Sequence, residues 1–100
     1  MKIFSYGTLS DKNIQLKEFN MEFKIEKKSE VVEGYKIKNI IIEKESYKIA
    51  IPSKNKSIKG CVIDVPDEII SSIDNWEGES YNRIKVKTKS GIDCMMYIIK

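Results

Sequence analysis

Ile58-Lys59-Gly60-Cys61-Val62-Ile63-Asp64-Val65 is a β-branched apolar run, and Pro66-Asp67-Glu68-Ile69-Ile70-Ser71-Ser72-Ile73-Asp74-Asn75-Trp76-Glu77-Gly78 follows it directly. At Pro66 the pattern changes. The first segment suits a strand, whereas Ile69, Ile70, Ile73 and Trp76 recur at helical spacing. Pro66 stands where a first-turn proline belongs, and Asp67 and Glu68 complement the positive helix N-terminus. Gly78 lies just past the end, where a left-handed C-cap is expected. Tyr81 to Lys87 then alternates again through Ile84 and Val86, as a strand does. Strand, helix, strand is the frame on which the rest hangs.

Beyond Lys87, Thr88-Lys89-Ser90-Gly91 turns the chain into a final strand, Ile92 to Ile99. At the other end, Lys2 to Tyr6 is a short strand stopped by Gly7, a residue free to take angles others avoid. Ser10 is positioned to cap a brief helix in which Ile14, Leu16 and Phe19 supply apolar contacts. Met21 to Ile25 alternates, as an edge strand would. Glu30 to Ile37, Asn39 to Glu43 and Lys48 to Ile51 read as further short strands, with Gly34 a bulge or close-packing point. Pro52-Ser53-Lys54-Asn55 ends that series in a polar loop. Isoleucine dominates the apolar set, and 100 residues cannot fill two separate cores. The expectation is one α+β domain over residues 1–100, mostly sheet.

Composition narrows the chemistry. With 41% apolar and 33% charged residues the chain has the balance of an ordinary globular protein. No apolar stretch approaches the roughly 20 residues of a membrane-spanning helix, so no membrane partner is expected. The apolar run in Met1 to Tyr6 is too short for a secretory signal, which makes the cytoplasm the expected compartment. There is no histidine, which removes Ser-His-Asp and Cys-His nucleophiles and any histidine metal site or base. Protons must move on a carboxylate, tyrosine, lysine or cysteine.

The net charge of +3 includes a single arginine, Arg83, and the lysines are interleaved with acids, so no nucleic-acid partner is expected. Cys61 and Cys94 lack C-x-x-C spacing and sit in apolar runs. They read as structural thiols, with no disulfide, no metal site and no cofactor expected.

Two segments differ from scaffold. In Phe4-Ser5-Tyr6-Gly7-Thr8-Leu9 a strand runs into a glycine turn, which can present consecutive backbone N–H groups to an anion or a developing oxyanion. In the second, Glu77 ends a helix beside Trp76 and Gly78. A carboxylate there meets the negative end of the helix dipole, and partial burial raises its pKa further, as an acid/base group near neutral pH requires. Glu79 is its rival, but it follows the helix-ending glycine and is expected in solvent. Arg83 is expected to pair with an acid such as Asp74.

Taken together and in order, these segments resemble the γ-glutamylcyclotransferase-like family, including the γ-glutamylamine cyclotransferases and the AIG2-like group. The resemblance covers nearly the whole chain. It rests on Phe4 to Leu9, on Val32-Glu33-Gly34-Tyr35, on Tyr47-Lys48-Ile49-Ala50-Ile51-Pro52 and on Ile58 to Val65. It continues through Ile73-Asp74-Asn75-Trp76-Glu77-Gly78, Tyr81-Asn82-Arg83-Ile84-Lys85-Val86 and Met96-Tyr97-Ile98. It implies a small mixed β-barrel with short flanking helices, and an acyltransferase or lyase reaction on a small γ-glutamyl substrate. In that reaction the α-amino group attacks the γ-carbonyl, releasing 5-oxoproline and an amine or amino acid without metal or cofactor. The family's catalytic glutamate aligns with Glu77, and its substrate-holding loop with Tyr6, Gly7, Thr8 and Leu9. Tyr81 and Tyr97 are expected to line the pocket.

After Leu9 the chain departs from the family. Ser10-Asp11-Lys12-Asn13 replaces a basic, glycine-containing segment that borders the substrate in many relatives. That departure motivates the alternative reading, a non-catalytic binding or regulatory module of the same fold, such as an antitoxin-like partner protein. Monomer and homodimer remain open.

Overall fold

Ile3, Phe4 and Ser5 are all buried, because β1 (Lys2–Ser5) lies at the centre of the sheet in a computed structural model that describes residues 1–100. After β1 come a 3-10 turn (Thr8–Ser10), α1 (Lys12–Phe19), and two long strands, β2 (Lys24–Ile42) and β3 (Glu45–Asp64). A second 3-10 turn (Asp67–Ile69) leads into α2 (Ile70–Glu77), then β4 (Tyr81–Lys87) and β5 (Asp93–Ile99). The five strands are ordered β2-β3-β1-β5-β4, antiparallel except for the central β1–β5 pair. No helix is long and apolar enough to cross a membrane.

The two-residue period of β1 divides the core. Ile3, paired with Ile63, faces one cluster that also holds Leu9, Phe23, Ile70, Ile73 and Tyr97. Phe4, paired with Val62, faces another with Val32, Ala50, Ile58, Cys94 and Met96. Each such fully buried side chain contributes about 1.5–3 kcal/mol. The α+β class read from the sequence is what the chain adopts. The helix after Val65 starts as the 3-10 turn and becomes α-helical at Ile70, and Gly78 beyond it takes the expected positive φ, 96°.

The barrel is not closed. β4 and the β2–β3 hairpin form no ladder; they touch where Lys89 N donates to Val31 O (2.8 Å) and where the Tyr81 hydroxyl donates to Lys48 O (3.1 Å). Register shifts at Ile25/Lys27, Lys27/Glu30 and Glu33/Tyr35 interrupt the regular β2–β3 ladder, as bulges do. The sheet is therefore open, with β2 and β4 at its edges.

Three local expectations also change. Glu30 to Ile37 and Asn39 to Ile42 fall within the single strand β2, with Glu43 already in the turn beyond it, and Pro52–Asn55 lies within the span of β3. The polar loop survives only as a wide bulge, in which Ser53–Lys56 stand opposite Gly34 between the pairs Tyr35–Pro52 and Glu33–Ser57. Asp11 rather than Ser10 caps α1, its carboxylate accepting from the amides of Asn13 and Ile14. On this helix Leu16 faces outward, 46% exposed, contrary to its expected apolar contact, and Gln15 faces inward, 1% exposed.

The hairpin turn uses Glu43 and Lys44 at φ 49° and 69°, left-handed angles that asparagine and glycine adopt far more readily. Replacing the pair by Asn-Gly is expected to stabilise the fold by about 1 kcal/mol, read as a higher urea midpoint with unchanged slope. An unchanged or lower midpoint would show that the turn is not a source of strain.

Opposite that turn, Glu30 fastens the hairpin to the β4–β5 connection. Its buried carboxylate accepts from the Ser90 hydroxyl and the Val31 amide, with Lys27 Nζ at 3.6 Å. These bonds, that from Ser90 foremost, hold the carboxyl at about 2, below its ordinary 4.5. A depressed pKa stabilises above the unfolded value and fades as pH falls from about 4.5 to about 2. Thermal melts of the wild type and Glu30→Gln are therefore expected to differ at pH 6 and to converge near pH 2.

Candidate active site

The strand-to-turn junction after β1 is held from behind. The Gly7 carbonyl accepts from Ser10 Oγ (2.9 Å), the Thr8 carbonyl from the Asp11 amide (2.9 Å) and the Leu9 carbonyl from Gln15 Nε2 (2.8 Å). Gln15 is itself fixed, because its Oε1 accepts from the Phe23 amide (2.9 Å). In a trans peptide the N–H points opposite the carbonyl, so tying down the Gly7 and Thr8 carbonyls turns the Thr8 and Leu9 amides the other way. The Gly7 N–H donates to nothing within the protein. Gly7 has φ −142°, so the left-handed freedom expected of it is not used; instead a Cβ there would meet no atom within 4 Å. The glycine leaves room.

That junction lines a cavity of about 940 Å³. Its other walls are the end of α2 with Trp76 and Glu77, Ser80 and Tyr81 after it, Tyr97 of β5, and Ile42, Ser46, Tyr47 and Lys48 of the hairpin. Thus Glu77, Tyr6, Gly7, Thr8, Leu9, Tyr81 and Tyr97, the residues singled out in the sequence, all meet at one cavity. Leu9 offers only its backbone, since its side chain is buried among Ile63, Ile70 and Ile73. Glu79 is exposed and lies outside the cavity wall.

Glu77 is the unusual group here. Its carboxylate makes no hydrogen bond and no ion pair, and it is partly buried beside Trp76. Burial first, and the Asp74 charge second, push it up to about 7. The tyrosines around it are braces rather than free donors. Tyr6 donates to the Tyr97 carbonyl (2.6 Å), Tyr97 to Asp74 Oδ1 (2.6 Å) and Tyr81 to the Lys48 carbonyl. Burial pushes all three phenols above their ordinary value, so they are neutral wherever Glu77 titrates. Arg83 pairs with Asp74 as expected, Nε to Oδ1 at 3.2 Å.

No cluster of three or more cysteine and carboxylate side chains stands together as a metal site. Cys94 is buried, its thiol pushed up to about 11 by desolvation, and Cys61 is half-buried; neither is bonded. The hairpin residues Ile42 and Tyr47 were not apparent as wall residues in the sequence, because nothing local brings a distant turn to a helix end. Gln15 carried no signal beyond its place in a helix.

The family model described as "Gamma-glutamyl cyclotransferase, AIG2-like" matches residues 3–100. Among solved structures, a γ-glutamyl cyclotransferase superposes with TM-score 0.76 at 19% identity, over 100% of this chain and 66% of that one. An uncharacterized protein from Pyrococcus horikoshii gives 0.74 at 23% identity, over 99% and 77%. YkqA from Bacillus subtilis gives 0.78 at 16% identity, over 100% of this chain and 40% of its own. At these identities the likeness is one of fold, and this chain spans just under two thirds of that cyclotransferase's length. A search of curated proteins finds no match.

Proposed function

This chain belongs to the γ-glutamyl cyclotransferase, AIG2-like family, and from that premise we propose that it is a cytoplasmic cyclotransferase releasing 5-oxoproline from a γ-glutamyl amine or peptide. The observation that carries the reading is the convergence of an unpaired, pKa-raised carboxyl, Glu77, and the Gly7–Leu9 amides on one cavity.

The substrate's α-ammonium gives a proton to Glu77, and the freed amine attacks the γ-carbonyl. A C–N bond forms while the carbonyl oxygen takes the electron pair, with the turn amides as its donors. The pair returns, the bond to the leaving nitrogen breaks, and Glu77 hands that nitrogen a proton. Two protons leave the α-nitrogen in all, and both end on the departing amine, so charge and atoms balance. Attack within one molecule needs chiefly positioning, which can supply about 7–11 kcal/mol of the barrier. That is within reach of a small chain without histidine.

The test is to incubate the protein with γ-glutamyl amines, amino acids and peptides and assay 5-oxoproline. Release from at least one donor is expected. Silence across the panel, together with a stably co-purifying protein, would replace this reading by the non-catalytic module.

A further inference from the structure

Asp74 lies one helical turn before Glu77 on α2, at the i, i+3 spacing that puts two side chains on one face. One residue from another element hydrogen-bonds it, and a second pairs with it by charge without a hydrogen bond. The Tyr97 hydroxyl of β5 donates to its Oδ1 at 2.6 Å, and Arg83 of β4 brings Nε to the same oxygen at 3.2 Å. Tyr97 is 5% exposed, and its own carbonyl accepts from Tyr6, so this grip does not swing. The Arg83 pair and the Tyr97 bond account for a carboxylate at this position, but its place one turn before Glu77 also sets a second negative charge beside that carboxyl.

We propose that Asp74 is a positioning residue of this site, whose clamped carboxylate, moderated by Arg83, sets the electrostatic environment in which Glu77 exchanges its proton. The proposal rests on the reading of Glu77 as the proton carrier. The groups facing Glu77 make the assignment specific. Tyr6 just after β1, Tyr81 of β4 and Tyr97 of β5 are neutral phenols, Glu79 lies in solvent, and Asp11 and Lys48 line the cavity but are not among the groups that shift Glu77. Among its charged neighbours Asp74 is the one that shifts Glu77, and Arg83 is the cation paired with Asp74. The two therefore pull Glu77 in opposite directions, which loosened packing would not reproduce.

The experiment is a pH titration of the Glu77 side-chain carboxyl by 13C NMR in the full chain, as wild type, Asp74→Asn, Arg83→Gln and the double variant. Asn at 74 keeps the shape and an acceptor oxygen for Tyr97. Its midpoint is expected about half to one pH unit below wild type, and that of Arg83→Gln above it. In the double variant the two changes should partly offset each other, leaving the midpoint between those of the single variants. Below the midpoint the kcat/KM of Asp74→Asn should exceed wild type by about three- to tenfold, because more Glu77 is ionised. Both single changes moving the midpoint the same way, or Asp74→Asn leaving it in place, overturns the proposal. Should Asp74→Asn fail to fold, a lowered or unmoved midpoint in Arg83→Gln alone overturns it. Midpoints that move as expected while the kinetic limb stays put instead overturn the proton-carrier reading of Glu77.

Discussion

Glu77→Gln is expected to lower the turnover of 5-oxoproline release by about 10²–10⁴-fold while leaving the fold intact. Glutamine fills the same space beside Trp76 but can neither take nor return a proton. The loss should fall on kcat more than on KM, since the Gly7–Leu9 turn proposed to hold the substrate is untouched. Stability should move the other way. The wild-type carboxyl has a folded-state pKa near 7 against an ordinary 4.5, so the neutral form is favoured by folding. A raised pKa contributes stability fully below the unfolded value and loses it as pH rises toward and through the folded one. At pH 8 the glutamine variant should therefore melt no lower than wild type, and above it if burial is the main cause of the shift. Turnover that survives the substitution removes Glu77 from the mechanism. A variant that loses activity and also melts several degrees lower at pH 8 would point to a structural part for this side chain.

How much of this was legible beforehand depends on how local the information is. Strand, helix and strand around Pro66 follow from a change of period and from capping chemistry, and an acid partner for Arg83 was expected, with Asp74 named as an example. The hairpin was less readable. Much of β2 and β3 is exposed on both faces toward the tip, with Ile41 78% and Tyr47 41% exposed, so no two-residue period marks where the strands run on. Its turn, Glu43-Lys44, lacks the asparagine or glycine that announces such a reversal, and the chain accepts two left-handed angles instead. Whether a curved sheet closes is decided by distant edges, which no window of sequence contains. The meeting of Glu77 with Gly7 was anticipated only through the family pattern; spacing alone leaves a helix-end glutamate and a glycine turn as separate, ordinary features.

Gly60→Ala is the change expected to damage the fold most. A Cβ at this position would lie 2.4 Å from the Ser5 carbonyl oxygen and 2.8 Å from the tip of the Phe4 ring. Neither neighbour can yield cheaply. The carbonyl belongs to the central strand β1, where Ser5 stands opposite Cys61, and Phe4 is 1% exposed in the second core cluster. Relief would require β1 and β3 to separate, which breaks ladder bonds on the strand that carries the Gly7 turn. A loss of roughly 3 kcal/mol is expected, at the upper end for overpacking, or about 12–24 °C in Tm for a chain of this length. Gly7→Ala is the matched control, because the added methyl meets nothing within 4 Å. It should melt within a few degrees of wild type and show its effect in KM, where the methyl takes up space that the substrate needs. A Gly60 variant as stable as the Gly7 one would mean that β1 and β3 pack more loosely than their geometry requires. The cavity floor built on β1 would then be soft as well, and preorganised amides could not be the source of its chemistry.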